Sequence, residues 1–209
     1  LQGAAVISGG FWTLRRTAAL LKPPAGGRKA LPSLLALTDP VRTRDPEALA
    51  ASLPRGAALV YRSFGAPDAE TTARRLRAIC QKRGVKLLIG ADWALAAQVA
   101  ADGVHLPERL AAKAGALKAA RPGWIVTAAA HSAAAARRGL KGADAVLVSP
   151  AFASNSPSAG APLGPHRLAG LARVAGGPVY ALGGVNDRTA ARLRGLGLVG
   201  FAAVDGLAP

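Results

Sequence analysis

Short apolar runs, each followed by a stretch patterned as a helix, recur eight times from residue 34 onward, and this recurrence constrains the fold more than any other feature. The runs are Leu34–Leu37, Ala57–Tyr61, Val85–Ile89, Gly103–Leu106, Trp124–Thr127, Ala145–Val148, Val179–Leu182 and Leu198–Val204. Capping residues mark helix starts between them: Asp45 before Pro46, Asp68 before Ala69, Ser132, and Asn186 with Asp187 in the first turn. Gly84, Gly142 and Gly195 or Gly197 are placed to end helices. The helices carry one apolar stripe, as in Leu76, Ile79 and Cys80, with Arg74, Arg75 and Arg77 elsewhere on the wheel. Cys80 is thereby expected in the core.

Strand–helix units with short connections require parallel strands and right-handed crossovers. A closed barrel and an open doubly wound sheet both satisfy that rule. The count of eight and the near-continuous apolar strands favour closure, which leaves no sheet edge. The expectation is an α/β chain, a compact (β/α)8 TIM barrel over residues 34–209 with an N-terminal extension, residues 1–33. In that extension Phe11, Trp12, Leu14 and Ala18 to Leu21 suit one short helix, and Pro23, Pro24, Gly26 and Gly27 then break it as a linker.

The chain has 27 basic and 11 acidic residues, a net charge of +16, and only 4% aromatics. The cations fall in separate helical segments (Arg15/Arg16, Lys113/Lys118/Arg121, Arg137/Arg138/Lys141, Arg188/Arg192/Arg194) and read as solvated outer faces. No aromatic residues interleave them as a base-stacking surface requires, so nucleic acid is not the expected partner. A single cysteine excludes a disulfide scaffold, and no apolar run approaches the ~18–20 residues of a membrane span. Neither a membrane partner nor a secretory leader is expected, and the expected location is cytoplasmic. The chain begins at Leu1 and has no Met, so it is read as starting after the translated start and as lacking residues.

In a barrel of this kind, chemistry sits on the loops that follow the strands. Thr38 and Asp39 follow the first strand, Arg62 the second, Asp92 the third, and His105 ends the fourth. His131 follows the fifth, a loop with Ser149, Ser154, Ser156 and Ser158 the sixth, Gly183-Gly184 the seventh, and Asp205-Gly206 the eighth. Gly183 and Gly184 permit close approach of backbone to an anion, or a tight turn; Ser154 and Ser156 are candidate phosphate ligands or members of a plain polar loop. His105 is expected as a hydrogen-bonded core group and His166 as a surface residue.

Eight short pieces occur in an order that resembles thiamine phosphate synthase and its TenI relatives. They are Leu37-Thr38-Asp39, Gly90-Ala91-Asp92, Ala101-Asp102-Gly103-Val104-His105-Leu106, Ala130-His131-Ser132, Gly142-Ala143-Asp144, Ser149-Pro150-Ala151-Phe152, Pro162-Leu163-Gly164 and Ala181-Leu182-Gly183-Gly184-Val185. The resemblance implies a (β/α)8 barrel. It also implies a thiamine-biosynthesis activity, either Mg²⁺-dependent coupling of a hydroxymethylpyrimidine diphosphate to a thiazole phosphate, or metal-free isomerisation of the thiazole phosphate in the TenI manner.

Departures from the synthase pattern separate the two. Where the family has Gln-x-Arg-x-Lys, this chain has Val60-Tyr61-Arg62-Ser63-Phe64, which keeps the arginine alone. Asn-Asp becomes Ala91-Asp92, the second metal carboxylate falls near Leu110 with Glu108 two positions earlier, and the lysine of the sixth loop is missing from Ser154-Asn155-Ser156-Pro157. A departing diphosphate needs Mg²⁺ or cationic clamps, so these losses count against the synthase. The favoured expectation is a TenI-like thiazole tautomerase with His131 as its acid–base group, without cofactor. Arg62, Ser154, Ser156, Gly183, Gly184 and Gly206 would bind substrate phosphate, and Asp92 would hold Mg²⁺ if the protein is a synthase. The third expectation is a non-catalytic regulator that binds thiazole or thiamine phosphates. The partner is a small phosphorylated substrate, with a second copy of the chain a candidate for covering the arm.

Overall fold

The computed structural model describes residues 9–21, 31–154 and 160–204. Eight parallel strands pair in chain order and close on themselves: β1 (Leu34–Leu37), β2 (Ala58–Tyr61), β3 (Lys86–Gly90), β4 (Gly103–Leu106), β5 (Ile125–Ala130), β6 (Ala145–Val148), β7 (Val179–Leu182) and β8 (Gly200–Ala203). The closing seam sets Leu34 against Phe201, Leu35 against Ala202 and Ala36 against Ala203. The barrel expected from the sequence is thus present. Helices α1 (Gly9–Leu20), α2 (Pro46–Ser52), α3 (Ala69–Arg83), α4 (Trp93–Gln98), α5 (Ala114–Ala120), α6 (Ala133–Leu140) and α7 (Gly164–Ala175) flank it. Short 3-10 turns run over Glu108–Lys113 and Ala190–Leu193.

Local chemistry explains most of the helix ends. The Asp45 carboxylate accepts the Glu47 and Ala48 N–H groups, Ser132 accepts that of Ala135, and Pro46 fits the first turn of α2. Gly84 closes α3 in the left-handed conformation, φ +67°, its N–H returning to the Cys80 and Gln81 carbonyls. Asn186 caps a shorter element than its signal suggested: its Oδ1 accepts the Arg188 and Thr189 N–H groups, but only the 3-10 turn Ala190–Leu193 follows. β5 runs three residues past the expected Thr127, because Ala128, Ala129 and Ala130 pair with Val146, Leu147 and Val148. Alanine favours helix in isolation, and the ladder overrides that preference.

Side chains of a strand alternate between its two faces. One set (Leu35, Leu37, Ala58, Val60, Leu88, Ile125, Ala145, Leu147, Tyr180 and Ala202) fills the barrel interior, and the other (Leu34, Ala36, Leu59, Leu87, Val126, Val146 and Phe201 among them) meets the helices. Cys80 lies in this outer layer, fully buried, and burial pushes its thiol up to about 12, so it packs as an apolar side chain. In α1, Leu14, Thr17 and Ala18 are buried, as is Leu21 just beyond it, and the helix packs on the 3-10 turn Ala190–Leu193.

One device recurs at the amino-terminal ends of the strands. Asp102 donates its N–H to the Leu87 carbonyl and accepts the Leu87 N–H on its carboxylate, while Arg77 and Lys86 neutralise it at 2.8 and 2.9 Å. Asp144 repeats the pattern on Val126, with Lys118 as its cation at 2.8 Å. Each aspartate satisfies a strand N–H that helix packing hides from water.

The one buried histidine sits inside the barrel. His105 is 7% exposed, with Nδ1 3.0 Å from Thr127 Oγ1. Burial, reinforced by the Arg62 guanidinium, draws its pKa down to about 4.

Two measurements test this account. Replacing Asp102 or Asp144 by Ala should cost about 1–3 kcal/mol in urea unfolding, since a strand N–H and a half-buried cation lose their partner together. A cost below the error of the measurement would show that water replaces the carboxylate. Unfolded His105 titrates near ~6.5 and binds its proton before the folded protein does. Stability is therefore complete above that pH and falls between about 6.5 and about 4, by up to about 3 kcal/mol. His105→Gln should remove this slope from a series of melts across the interval.

Candidate functional site

The inward parity of four strands carries to the last strand residue or to the first residue of the loop beyond it. Val60 faces in, so Arg62 does; Leu88 leads to Gly90, Leu147 to Ser149, and Ala202 to Val204. These groups, with Leu37, His105, Ala129 and Leu182, floor and wall a cavity of about 730 Å³ at the carboxyl-terminal mouth. Arg42, Arg109, His131, Ser154, Gly183, Gly184 and Asn186 reach it from the loops.

Arg62 is the most constrained of the cations. Its backbone N–H donates to Thr38 Oγ1 at 2.9 Å, its Nε donates to the Thr38 carbonyl at 2.6 Å, and Nη2 lies 3.5 Å from Asp39. Arg42 donates to the same Asp39 oxygen at 2.9 Å. That hydrogen bond, with backbone N–H groups of Val41 and Arg42, holds the Asp39 carboxyl down to about 2. One carboxylate is thus shared by two guanidinium groups, which leaves a positive surplus at the rim. Arg109, exposed on the first 3-10 turn, adds a further charge and has no ion-pair partner among the described residues.

His131 stands across the mouth. Its Nδ1 is 2.8 Å from Glu108 Oε2, and the same oxygen accepts the His131 backbone N–H at 2.9 Å. Arg138 approaches the other Glu108 oxygen at 3.8 Å. The hydrogen bond from His131 draws the Glu108 carboxyl below its usual range. The carboxylate orients the ring as an acceptor of Nδ1–H, so Nε2 is the atom with a lone pair to offer. Ser132, next in the chain, caps α6 and fixes the backbone on which His131 sits.

The Gly183–Gly184 turn has φ values of +90° and +65°, and it lies in the cavity wall. A Cβ on Gly184 would run into the Ala153 carbonyl and Phe152, so these glycines are required by the packing of two neighbouring loops. The residues expected here therefore gather as follows. Arg62, His131, Ser154, Gly183 and Gly184 share the cavity, whereas Ser156, Asp205 and Gly206 lie outside the described residues. Arg42, Arg109 and Asn186 also line it and were not anticipated; the signal for Arg109 is a cation four residues beyond an inward-facing histidine.

Asp92 is not among the cavity-lining residues. It is exposed, and its carboxylate caps α4 by accepting the Leu95 N–H at 2.9 Å. Glu108, the other carboxylate considered for a metal, is committed to His131. Among the described residues no three His, Cys, Asp or Glu side chains converge to hold a metal ion. Mg²⁺ is commonly held by one or two carboxylates together with substrate phosphates, and here Asp92 and Glu108 each already accept a hydrogen bond within the fold. His166 is exposed on α7.

Comparison with known proteins agrees with the fold and the motif order. The sequence model of the family described as thiamine monophosphate synthase (TMP-TENI) matches residues 34–207. A thiamine-phosphate synthase of Alcanivorax borkumensis is 35% identical over 193 residues, covering 85% of each chain. One from Herpetosiphon aurantiacus is 30% identical over 175 residues, 79% of this chain and 82% of the other. The thiamine phosphate pyrophosphorylase structure from Pyrococcus furiosus superposes with a TM-score of 0.69 at 23% identity, covering 84% of this chain and 86% of that one. At that identity the superposition speaks for the barrel alone. The chain belongs to the thiamine monophosphate synthase (TMP-TENI) family.

Proposed function

We propose that the protein binds a thiazole phosphate in the mouth of the barrel and isomerises it by acid–base chemistry at His131. The observation that carries the reading is the Glu108–His131 pair, 2.8 Å apart at the wall of a cavity that three arginines also line. A neutral imidazole oriented through Nδ1 can accept a proton from a ring carbon on Nε2. The electron pair left behind shifts along the conjugated ring, and the imidazolium returns the proton to a second carbon. The step is a net isomerisation and needs no oxidant, reductant or leaving group. Glu108 is the positioning residue, since it stabilises the imidazolium formed midway.

The phosphate would be held by positive charge at the rim. Arg109 is the cation with capacity to spare, because Arg42 and Arg62 already share Asp39. Backbone N–H groups of the Gly183–Gly184 turn, together with Ser154, would add neutral donors, and Asn186 marks the start of the next element. A cytoplasmic location accords with a biosynthetic role of this kind. Among the described residues no helix is long and apolar enough to cross a membrane.

The names of the relatives favour a second reading, the coupling of thiazole phosphate to a pyrimidine diphosphate. Three observations count against it: Asp92 caps a helix, Glu108 is paired, and the family's lysine and second carboxylate fall at Phe64 and near Leu110. Pyrophosphate release with both substrates and Mg²⁺ distinguishes the two. Background release supports the tautomerase, and sustained release establishes the synthase.

Two variants test the proposal directly. His131→Asn should slow isomerisation of the thiazole phosphate, followed by NMR, by about 10²–10⁴-fold while affinity changes less than threefold. Full rate in the variant would end the assignment, and saturable binding without turnover in the wild type would reduce the protein to a binder. Glu108→Gln should lower kcat and leave KM near its original value, and Glu108→Asp should recover part of the lost rate. Arg109→Ala should weaken binding of the phosphorylated ligand about threefold to tenfold, with the effect shrinking as salt rises.

A further inference from the structure

The loop between β2 and α3 holds a residue that neither local conformation nor burial explains. Ser63 to Ala66 form a tight turn closed by the Ala66 N–H on the Ser63 carbonyl at 3.0 Å. Its two central residues, Phe64 and Gly65, have φ values of +50° and +82°. Positive φ at both central positions is the pattern that Gly, Asn and Asp adopt with least strain. Phenylalanine there is a conformational outlier. The residue is also 65% exposed, so no core packing offsets the strain.

The ring is nonetheless held in a defined place. It lines the cavity mouth, and the Arg62 guanidinium carbon lies 5.2 Å from its centroid. Arg62 itself is fixed by Thr38 and Asp39, so the cation supports the ring from a rigid base. Residues held in sparsely populated backbone conformations cluster at ligand contacts, and this one stands at a cavity mouth. The result is an open aromatic face backed by positive charge, beside a cavity that carries His131 on its opposite side.

From this we infer that Phe64 is the specificity-determining contact for the heterocyclic ring of the ligand: it stacks on a flat aromatic ring, and the site thereby selects an aromatic monophosphate over a bare diphosphate. The inference rests on the proposed function for the identity of that ring. An aromatic side chain gives a ring an offset-stacked or edge contact and gives phosphate oxygens nothing, so its energy is specific to the ring. The neighbouring cations are drawn toward Asp39, which limits the charge the rim can devote to a second phosphoryl group.

Phe64→Gly and Phe64→Lys, compared with wild type by calorimetric titration, test the inference. The probes are thiazole phosphate, hydroxymethylpyrimidine monophosphate, inorganic phosphate and inorganic pyrophosphate. Phe64→Gly should weaken thiazole phosphate about tenfold, leave inorganic phosphate within twofold, and hold or raise Tm because the turn is relieved. Phe64→Lys should lose the same ring affinity and gain affinity for pyrophosphate. Equal weakening of thiazole phosphate and inorganic phosphate in Phe64→Gly, or a lowered Tm, would show a structural residue and overturn the inference. So would a change of oligomeric state on size-exclusion chromatography, which would make Phe64 an interface residue. If thiazole phosphate binds and Phe64→Gly binds it unchanged, this inference falls and the proposed function stands. If only the pyrimidine monophosphate binds, and Phe64→Gly loses it, the inference stands and the proposed function falls. Wild-type protein that binds neither aromatic monophosphate overturns both.

Discussion

The seam between β1 and β8 is the contact on which the site depends. Its three residue pairs convert an open sheet into a cylinder, and a cylinder of parallel strands has all its carboxyl ends on one rim. Closure also gives the side chains an inside and an outside. Groups far apart in sequence, such as Arg62 and His105, then point into one space by parity alone. Without the seam, Thr38 would still pair with Arg62, but the loop after β7 would have no reason to face the loop after β2.

Polar groups divide their labour between the two ends of this cylinder. At the amino-terminal end, Asp102 and Asp144 are each neutralised by lysine or arginine and bound to a strand N–H, so their charges are consumed by the fold. At the carboxyl-terminal end, the pairing is incomplete by design of the count: Asp39 serves Arg42 and Arg62 together, and Arg109 adds charge beyond them. Paired charge stabilises; surplus charge, held rigid by Thr38 and Asp39, attracts an anion. The overall charge of +16 therefore says less about ligands than the arrangement of four residues around one rim.

The strands were legible because a buried parallel sheet demands short unbroken apolar runs, and this chain spaces eight of them regularly. Their ends were less so: the alanines of β5 carry no strand preference and gain it only from β6. At the site, Arg62 and His131 were legible as polar residues directly after strands. Arg42 and Arg109 were not, because they lie five and three residues beyond the ends of β1 and β4, in loops whose path the sequence does not dictate. Asp92 shows the opposite failure. An aspartate after a strand has two common uses, ligand and helix cap, and its position three residues before Leu95 satisfies the second while a motif suggested the first. Gly183-Gly184 was read as room for an anion or a turn; a turn with positive φ at both residues is present, and the Ala153 carbonyl and Phe152 lie where a Cβ on Gly184 would project.

Glu108 connects these observations to the chemistry. In the motif order it stands near the carboxylate that would bind a cation, yet its oxygens face the imidazole and backbone N–H of His131 and the Arg138 guanidinium. A carboxylate that accepts two hydrogen bonds and lies near a further positive charge gains little by exchanging them for a hydrated magnesium ion, whose own water shell is costly to remove. The same geometry fixes the ring, because the carboxylate can only accept and so holds Nδ1 as the donor and turns Nε2 away from itself. On the proposed reading, a chain with no carboxylate at Leu110 leaves Glu108 to His131, and that pair would suit the mouth of this barrel to moving protons more than to expelling a diphosphate.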